Sequence, residues 1–595
     1  MISILDSDKC TGCLLCIDVC PKEAIIRKVD DKTGFQFPVI DISKCIDCGI
    51  CSNLCPSINQ FHKTNEVRSV YAINNKNIET RFESTSGGIF TLLANEVLKN
   101  NGYVVGAIWK NQYEVIHYVT NHKEELSLLK QSKYIESNPS GIYKQIKGLL
   151  KSGSEVFFVG CPCQVSALKA YIKDDMNLYT ADLICKGIPS PLIWKSYIEY
   201  IEKKFNKKIK SYRWKDKEYG WKRLGVRLDF TDSTVEYIAG INDNFSILYS
   251  KNYILRESCY NCQYRGLSRL GDLTLGDCWG VETLAPQLDD DCGTSIVLVN
   301  SNKGMELIDK IREECYLIEL EKDGLEEYNK GLSMNPLISS NDRNLFWDDF
   351  SYNGFQYIIS KYCVTKKKLK QRIRPYLSLC REVLHITQMR PKPLWQFFYL
   401  NFFSKHIKTD VKNCGVLIPS TYCVFQFEKN AEIELHGKMI IGPSRVKYSK
   451  RESRLLMKEN SKIIVNSSCY IQEGADIEIH KNGKWIMDEF HSNFNLEISC
   501  GELIEMHGYV GCGRKVTIRD YNGHIIAKNG FQIANPIKIE NHTWLCSGCT
   551  IMPGVHIQTG AVVSANAYVA SNVPPYTLVA GKTAVIMAKD VKYKI

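Results

Sequence analysis

CTIMPGVHIQTGAVVSANAYV, Cys549–Val569, repeats itself every six residues. Ile551, Ile557, Val563 and Val569 mark the period. Gly548, Gly554, Gly560, Asn566 and Asn572 keep the same period between them. The ladder extends back through Leu545, Ile539 and Ile533, and earlier runs at Val465, Ile471, Ile477 and at Ile498, Ile504, Val510, Val516 keep it too. An aliphatic side chain at every sixth position fills the inside of a triangular coil, and a glycine or asparagine at each corner takes the left-handed turn. Stacked turns of such a coil bury a continuous core. A sandwich alternates by two and does not generate a period of six. The expectation is a left-handed parallel β-helix over residues 411–595.

The period breaks between Val516 and Ile533. The intervening TIRDYNGHIIAKNGFQ must leave the coil as a loop, and it carries Asp520 and His524. An imidazole held by a carboxylate is suited to take a proton from a hydroxyl near neutral pH. The same letters also make a solvent-exposed turn, and the residues alone leave both readings open. Cys546 and Cys549 lie on the ladder with no histidine or cysteine pair in register, and read as coil packing.

Residues 391–595 resemble the hexapeptide-repeat O-acetyltransferases of surface-polysaccharide clusters. IRDYNGHII matches their catalytic loop, and PIKIENHTWLCSGCTIMPGVHI their distal coils. The resemblance implies that His524 is a general base and Asp520 its orienting group. It also implies that acetyl-CoA lies along the coils by Trp544 and the closing VAGKTA, which contains Gly581 and Lys582. Members of that family are trimers with the active site between neighbouring coils. This chain departs from them at Lys582-Thr583, where asparagine-proline is common.

The other end reads KCTGCLLCIDVCPKEAI, Lys9–Ile25. Cys10, Cys13, Cys16 and Cys20-Pro21 form C-x2-C-x2-C-x3-C-P, and Cys45, Cys48, Cys51 and Cys55-Pro56 repeat it. In such runs the first three thiolates hold one four-iron cluster and the fourth holds the other. The expected sets are Cys10, Cys13, Cys16, Cys55 and Cys45, Cys48, Cys51, Cys20. Zinc sites use CxxC pairs and do not interlock in this way. Gly12 and Gly49 would let the backbone bend close to sulfide. This head resembles a bacterial two-cluster ferredoxin.

From Val67 to Cys363 the chain reads as α/β: EVFFVG (Glu155–Gly160) as a buried strand, and GGIFTLLANEVLKNNG (Gly87–Gly102) as a helix with a glycine stop. Ser86-Gly87-Gly88 precedes that helix, where glycines let backbone N–H groups approach a phosphate. One CxxC (Cys259, Cys262) with separated Cys161, Cys163, Cys185 and Cys278 can supply a third four-thiolate site, or can be buried small hydrophobes.

The order STSGG, QSKY, FFVGCPCQ, DLICKG, RESCYNC, LGDCWG resembles the beta-subunit family of deazaflavin (coenzyme F420) hydrogenases and dehydrogenases. That resemblance implies FAD and an additional four-iron cluster on Cys163, Cys185, Cys259 and Cys262. Cys161 and Cys278 stand where other residues are usual. It places Ser86, Gly87, Gly88, Lys133 and Asp277 near the flavin or substrate. For Lys133 a solvated surface position is the competing reading. Clusters pass single electrons, and a flavin converts them to pairs.

The 595 residues carry 25 cysteines and a net charge of +11. The clustered cysteines imply a reducing cytoplasm, and no leader precedes Cys10. No window of about 18 apolar residues spans a bilayer. Zinc-finger, RNP-like and one-faced basic helix patterns are absent, so no nucleic-acid partner is expected. TKKKLKQRIRP (Thr365–Pro375) is basic and PLWQFFYLNFF (Pro393–Phe403) aromatic. They read as a linker helix and a cap on the coil, with peripheral contact at the inner membrane face as the alternative.

The expected organisation is a small α+β two-cluster ferredoxin at 1–62, an α/β flavin and iron–sulfur domain at 63–363, a linker and cap at 364–410, and the β-helix at 411–595. The expected function is a bifunctional oxidoreductase and acetyl-CoA-dependent acetyltransferase acting on a sugar or glycan precursor in surface-polysaccharide assembly. Its electron donor is ferredoxin or reduced deazaflavin, and it assembles as a homotrimer. The competing expectation is an electron-relay subunit for a separate reductase, with the coil as a trimerising scaffold.

Overall fold

A computed structural model describes residues 8–59, 66–173, 175–333, 335–363, 369–446, 449–523 and 532–589. The chain forms two compact units that meet in sequence between Thr365 and Lys366.

The first unit is built on a nine-stranded mixed sheet. Four parallel strands form its centre, in the order Leu273–Asp277, Leu178–Leu183, Val156–Gly160, Tyr103–Asn111. Ser295–Val299, Ser69–Asn75 and Cys315–Leu320 continue it antiparallel on one side, and Glu114–Thr120 pairs antiparallel on the other. Val156, Phe157 and Phe158 are fully buried, because successive side chains enter the two covered faces of a central strand. Phe157 packs with Leu92, Leu93, Leu307 and Ile308 from helices Ile89–Lys99 and Asn302–Ile311. Phe158 packs with Ile146, Val165 and Leu168 from helices Ile142–Lys151 and Pro162–Ile172. The helix expected after Gly88 is present, but its left-handed stop is Asn101 rather than Gly102. Gly102 is needed because a Cβ there would strike Val97.

The cysteine-rich head belongs to this unit and is fastened to it by polar contacts. Asp18, on helix Leu15–Val19, is buried and accepts from the N–H groups of Gly141, Tyr143 and Lys144, so the head caps helix Ile142–Lys151. Tyr143 Oη donates to the Cys13 carbonyl at 3.0 Å. The fully buried Arg256 donates to the carbonyls of Cys10 and Gln36 and pairs with buried Glu136.

The second unit is a parallel β-coil with three faces. One stacks Glu432–Leu435, Lys462–Val465, Lys484–Met487, Leu503–Met506, Ile537–Ile539 and His556–Ile557. Another stacks Lys438–Ile441, Ser468–Ile471, Glu489–Ser492, Tyr509–Cys512, Thr543–Leu545, Val562–Val563 and Leu578–Ala580. The third runs from Cys423–Phe427 to Tyr568–Val569. Ile551 lies against Val569, so one turn is three hexads. Ile539, Leu545, Ile551, Ile557, Val563 and Val569 fill one core with Val465, Ile471, Ile477, Ile498, Ile504, Val510 and Val516. Each contributes about 1.5–3 kcal/mol on burial.

Two ladder positions differ from expectation. Ile533 is only half-buried; its carbonyl accepts from Asn522, and Ile537 takes the inward place. Gly548, Gly554, Gly560 and Asn566 have positive φ, but Asn572 does not; its side chain instead accepts from the His556 N–H.

Helices Leu369–Thr387 and Pro391–Phe398 lie against the coil, with Val383 and Phe397 packed on Val416, Ile418 and Ile440. Leu400 joins the coil's own core. Trp395, Phe398, Tyr399, Phe402 and Phe403 follow helical spacing on the opposite side and are exposed. Among the described residues no helix is long and apolar enough to cross a membrane.

Candidate functional site

The head's eight cysteines fall into two groups. Cys10, Cys13, Cys16 and Cys55 ring one small cavity, and Cys20, Cys45, Cys48 and Cys51 line another. The fourth thiol of each run sits with the first three of the other. Gly12 and Gly49 have φ of 68° and 71°, the turn that sharp wrapping requires. Gly12 also leaves room for the Glu136–Arg256 pair, which a Cβ would strike. Burial, with neighbouring thiols adding, pushes Cys13 up to about 12 and Cys16 well above its ordinary value. Such a cage is costly as bare thiolates and is suited to positive iron. Cys48 is the exposed member, while Cys10 and Cys13 are buried.

A third cavity is lined by Cys163, Cys185, Cys259 and Cys262 with Arg265, Arg269 and the head's Thr11. Cys163 opens helix Pro162–Ile172, and Cys185 follows strand Leu178–Leu183. Arg269 is held by the Asp182 carboxylate and the Leu183 carbonyl, so its charge stays beside these thiols. Cys161 is hydrogen-bonded to Cys185; this raises Cys161 and lowers Cys185 to about 7. Cys278 is fully buried in an apolar cluster elsewhere. Among the described residues no three His, Cys, Asp or Glu side chains converge on a single-ion site. Ligands of one ion each stand about 2.3 Å from it, whereas a four-iron cluster holds its thiolates apart by its own width.

A cavity of about 280 Å³ opens at the carboxyl ends of the parallel strands, lined there by Gly160–Cys161, Leu183–Cys185 and Gly276–Asp277. Ligands of open α/β sheets bind at such ends. Ser86, Gly88, Lys133 and Asp277 line it, and Cys185 lines both this cavity and the third thiol cavity. Gly88 takes φ 80° at the start of helix Ile89–Lys99. Gly87 lies behind the wall: its N–H donates to Ser295 Oγ, and a Cβ would stand 2.3 Å from the Ile73 carbonyl. Lys133 is half-buried; its ammonium donates to the carbonyls of Leu128 and Lys130, and burial lowers it to about 7. A helix N-terminus beside Lys133 suits phosphate, and Phe90, Val159 and Leu275 suit a flat ring. The residues present therefore fit a flavin nucleotide.

Several contributors escaped the motif reading. Lys215 pairs with Asp277 between the rings of Tyr134 and Trp279, 5.5 and 5.2 Å from their centroids. Lys217 is buried and donates to the Arg81 and Ser86 carbonyls, fixing the loop that carries the two glycines. Both lie at the end of strand Ile209–Asp216, where WKDK reads locally as surface.

In the second unit, His524 lies outside the described residues. Asp520 is fully buried, and its carboxylate accepts from the N–H groups of Gly501, Glu502 and Leu503. It thereby ties the end of strand Thr517–Arg519 to residues 501–503. Trp544 covers Gly511, where a Cβ would meet its ring. Trp544 stacks in register with Val562 and Leu578, and Gly581 and Lys582 follow that strand in an exposed turn. Cys549 is in the coil's core and Cys546 is half-buried.

Residues 9–59 match the family model for the 4Fe-4S dicluster domain. Residues 153–323 match the one for the C-terminal part of the coenzyme F420 hydrogenase/dehydrogenase beta subunit. A Saccharomyces cerevisiae protein described as a "putative acetyltransferase" is 26% identical over 171 residues, 28% of this chain and 83% of its own. A Schizosaccharomyces pombe protein of the same description is 38% identical over 99 residues, 16% of this chain and 48% of its own. A Staphylococcus aureus one is 35% identical over 60 residues, 10% of this chain and 30% of its own. The chain thus spans under half of the second and third relatives. Among solved structures, a chain of the F420-reducing NiFe hydrogenase complex from Methanosarcina barkeri aligns at 16% identity and a TM-score of 0.34, covering 50% of this chain and 96% of that one. The polysialic acid O-acetyltransferase OatWY aligns at 21% identity and a TM-score of 0.17, covering 30% of this chain and 86% of that one. The chain thus joins a segment that matches the 4Fe-4S dicluster domain to one that matches the C-terminal part of the coenzyme F420 hydrogenase/dehydrogenase beta subunit, and over 171 residues it is similar to a protein described as a putative acetyltransferase.

Proposed function

We propose that the first unit is a self-contained iron–sulfur flavoprotein oxidoreductase and the second an acetyl-CoA-dependent O-acetyltransferase, both serving surface-polysaccharide assembly. The observation that carries the redox half is Cys185, which lines the third thiol cavity and the strand-end cleft at once. FAD bound in the cleft would exchange single electrons for pairs with a sugar or glycan precursor. Ser86, Gly88 and the start of helix Ile89–Lys99 then hold its phosphate, and Lys133 and Asp277 face the reacting ligand. Cys163, Cys185, Cys259 and Cys262 hold a third four-iron cluster. The exposure of Cys48 favours the second head cluster as the point where ferredoxin delivers single electrons, whereas reduced deazaflavin, a hydride donor, would react at the flavin.

In the tail, His524 takes the proton of the acceptor hydroxyl as it attacks the thioester of acetyl-CoA, and the coenzyme lies by Trp544, Gly581 and Lys582. A left-handed coil of this kind assembles as a homotrimer. The exposed aromatic stripe at Trp395–Phe403 supports contact with the inner face of the membrane from a cytoplasmic location.

Protein purified without oxygen is expected to carry about twelve irons and one FAD per chain. About eight irons and no flavin would turn the first unit into a relay for another enzyme. His524→Ala is expected to lower acetyl transfer to a glycan acceptor by about 100-fold or more while acetyl-CoA still binds. Unchanged transfer would remove the tail's catalytic assignment.

A further inference from the structure

His117 lies on strand Glu114–Thr120, opposite Ala107, and its ring stacks on Phe158 with centroids 5.6 Å apart and planes 14° from parallel. It is 4% exposed. Neither ring nitrogen has a hydrogen-bond partner. An unpaired buried imidazole is destabilising by the desolvation of both nitrogens, so its retention calls for an account.

The ring lines the strand-end cleft, whose apolar lining includes Ala107, Val115, Leu129 and Ile135. The nearby polar groups are engaged with one another: Gln164 Nε2 donates to Ser137 Oγ at 3.0 Å, and Gln164 Oε1 accepts from the Cys161 N–H at 2.9 Å. Burial alone lowers His117 to about 4, with no charged group contributing. At neutral pH the imidazole is uncharged and offers one N–H donor and one acceptor. No charged group acts on the ring, so the space beside it does not suit a phosphate. It suits a flat, uncharged ring that presents donors and acceptors along an edge and apolar faces above and below.

We infer that His117 is a ligand-binding residue whose ring nitrogens hydrogen-bond the uncharged ring edge of a flavin in the cleft. The assignment rests on the flavoprotein reading above and adds a contact that no motif marks. In the flavin-free protein the unpaired ring weakens the fold, and the ligand relieves it.

The test uses the full chain purified without oxygen, retaining its iron and stripped of flavin, with FAD binding read by fluorescence quenching. His117→Phe keeps the stack on Phe158 and removes both nitrogens. Flavin-free H117F is expected to melt a few degrees above wild type, while its FAD dissociation constant rises about tenfold. Opposite signs in stability and affinity are the signature that a purely structural histidine would not produce. Equal FAD affinity in H117F and wild type would overturn the assignment and leave solvent as the only partner of the ring. Should H117F fail to fold, His117→Gln and His117→Leu give the same comparison. The glutamine variant is expected to bind FAD at least about threefold more tightly, and equality overturns the inference. A wild-type chain that binds no FAD overturns the flavoprotein reading and this inference together, an outcome distinct from equal binding by both proteins.

Discussion

Cys163→Ser is expected to lower the iron content from about twelve to about eight per chain while leaving the head's two cubanes intact. Cys163 opens a helix whose body is packed under the sheet, with Val165, Ala167 and Leu168 all fully buried, so the fold has its own support. The thiol, however, feels both Cys13 of the head and Cys185 at the cleft electrostatically. On the proposed assignment, removing it deletes one ligand of the third set and the step that joins head to cleft. Reduction of bound flavin by a one-electron donor should therefore slow by at least about 100-fold, a barrier increase of roughly 3 kcal/mol. Iron analysis and stopped-flow bleaching of flavin absorbance read the two effects separately. Full iron content in C163S would leave the third set without support.

Arg256→Met is expected to destabilise the first unit by about 3 kcal/mol or more, seen as a lower urea midpoint. The guanidinium has no exposure and makes four polar contacts: to Glu136, to the carbonyls of Cys10 and Gln36, and to Cys10 Sγ at 3.7 Å. Burial pushes the Glu136 carboxyl up to about 7 even with this cation beside it. Without the arginine, Glu136 is forced to its neutral form in a pocket 4% exposed, and two carbonyls lose their donor. Adding Glu136→Gln should recover only part of the loss, because the carbonyls of Cys10 and Gln36 remain unpaired. Full recovery would show that the charge pair alone, and not the tie to the head, carries Arg256's contribution.

What was legible in the sequence has a common physical character. The six-residue ladder is a steric rule repeated at every turn, so each inward aliphatic position can be read without knowing its neighbours. The crossing of Cys20 and Cys55 between clusters follows from the spacing within each run. The motifs around Ser86, Lys133 and Asp277 were legible only through the family resemblance, and they line one cleft. What could not be read depends on contacts between distant segments. Asp18 looks like one of many acidic residues until Gly141 and Tyr143 are brought to it. Lys215 looks solvated until Tyr134, Trp279 and Asp277 close around it. Asp520 reads through its neighbour His524, yet its oxygens are taken by the amides of residues 501–503. A short side chain that saturates itself on backbone donors of another turn leaves no local pattern.

The fastening of the head has a kinetic consequence. A carrier that docks and departs transfers electrons at a rate that depends on how often it meets its partner. Here Asp18 caps a helix of the larger fold, Tyr143 holds the Cys13 carbonyl and Arg256 holds that of Cys10. Cys10 and Cys13 therefore keep one separation from Cys163 and Cys185. On the proposed electron path, transfer from head to cleft would be first order and indifferent to dilution, and the encounter of an outside donor with the exposed end at Cys48 would remain second order.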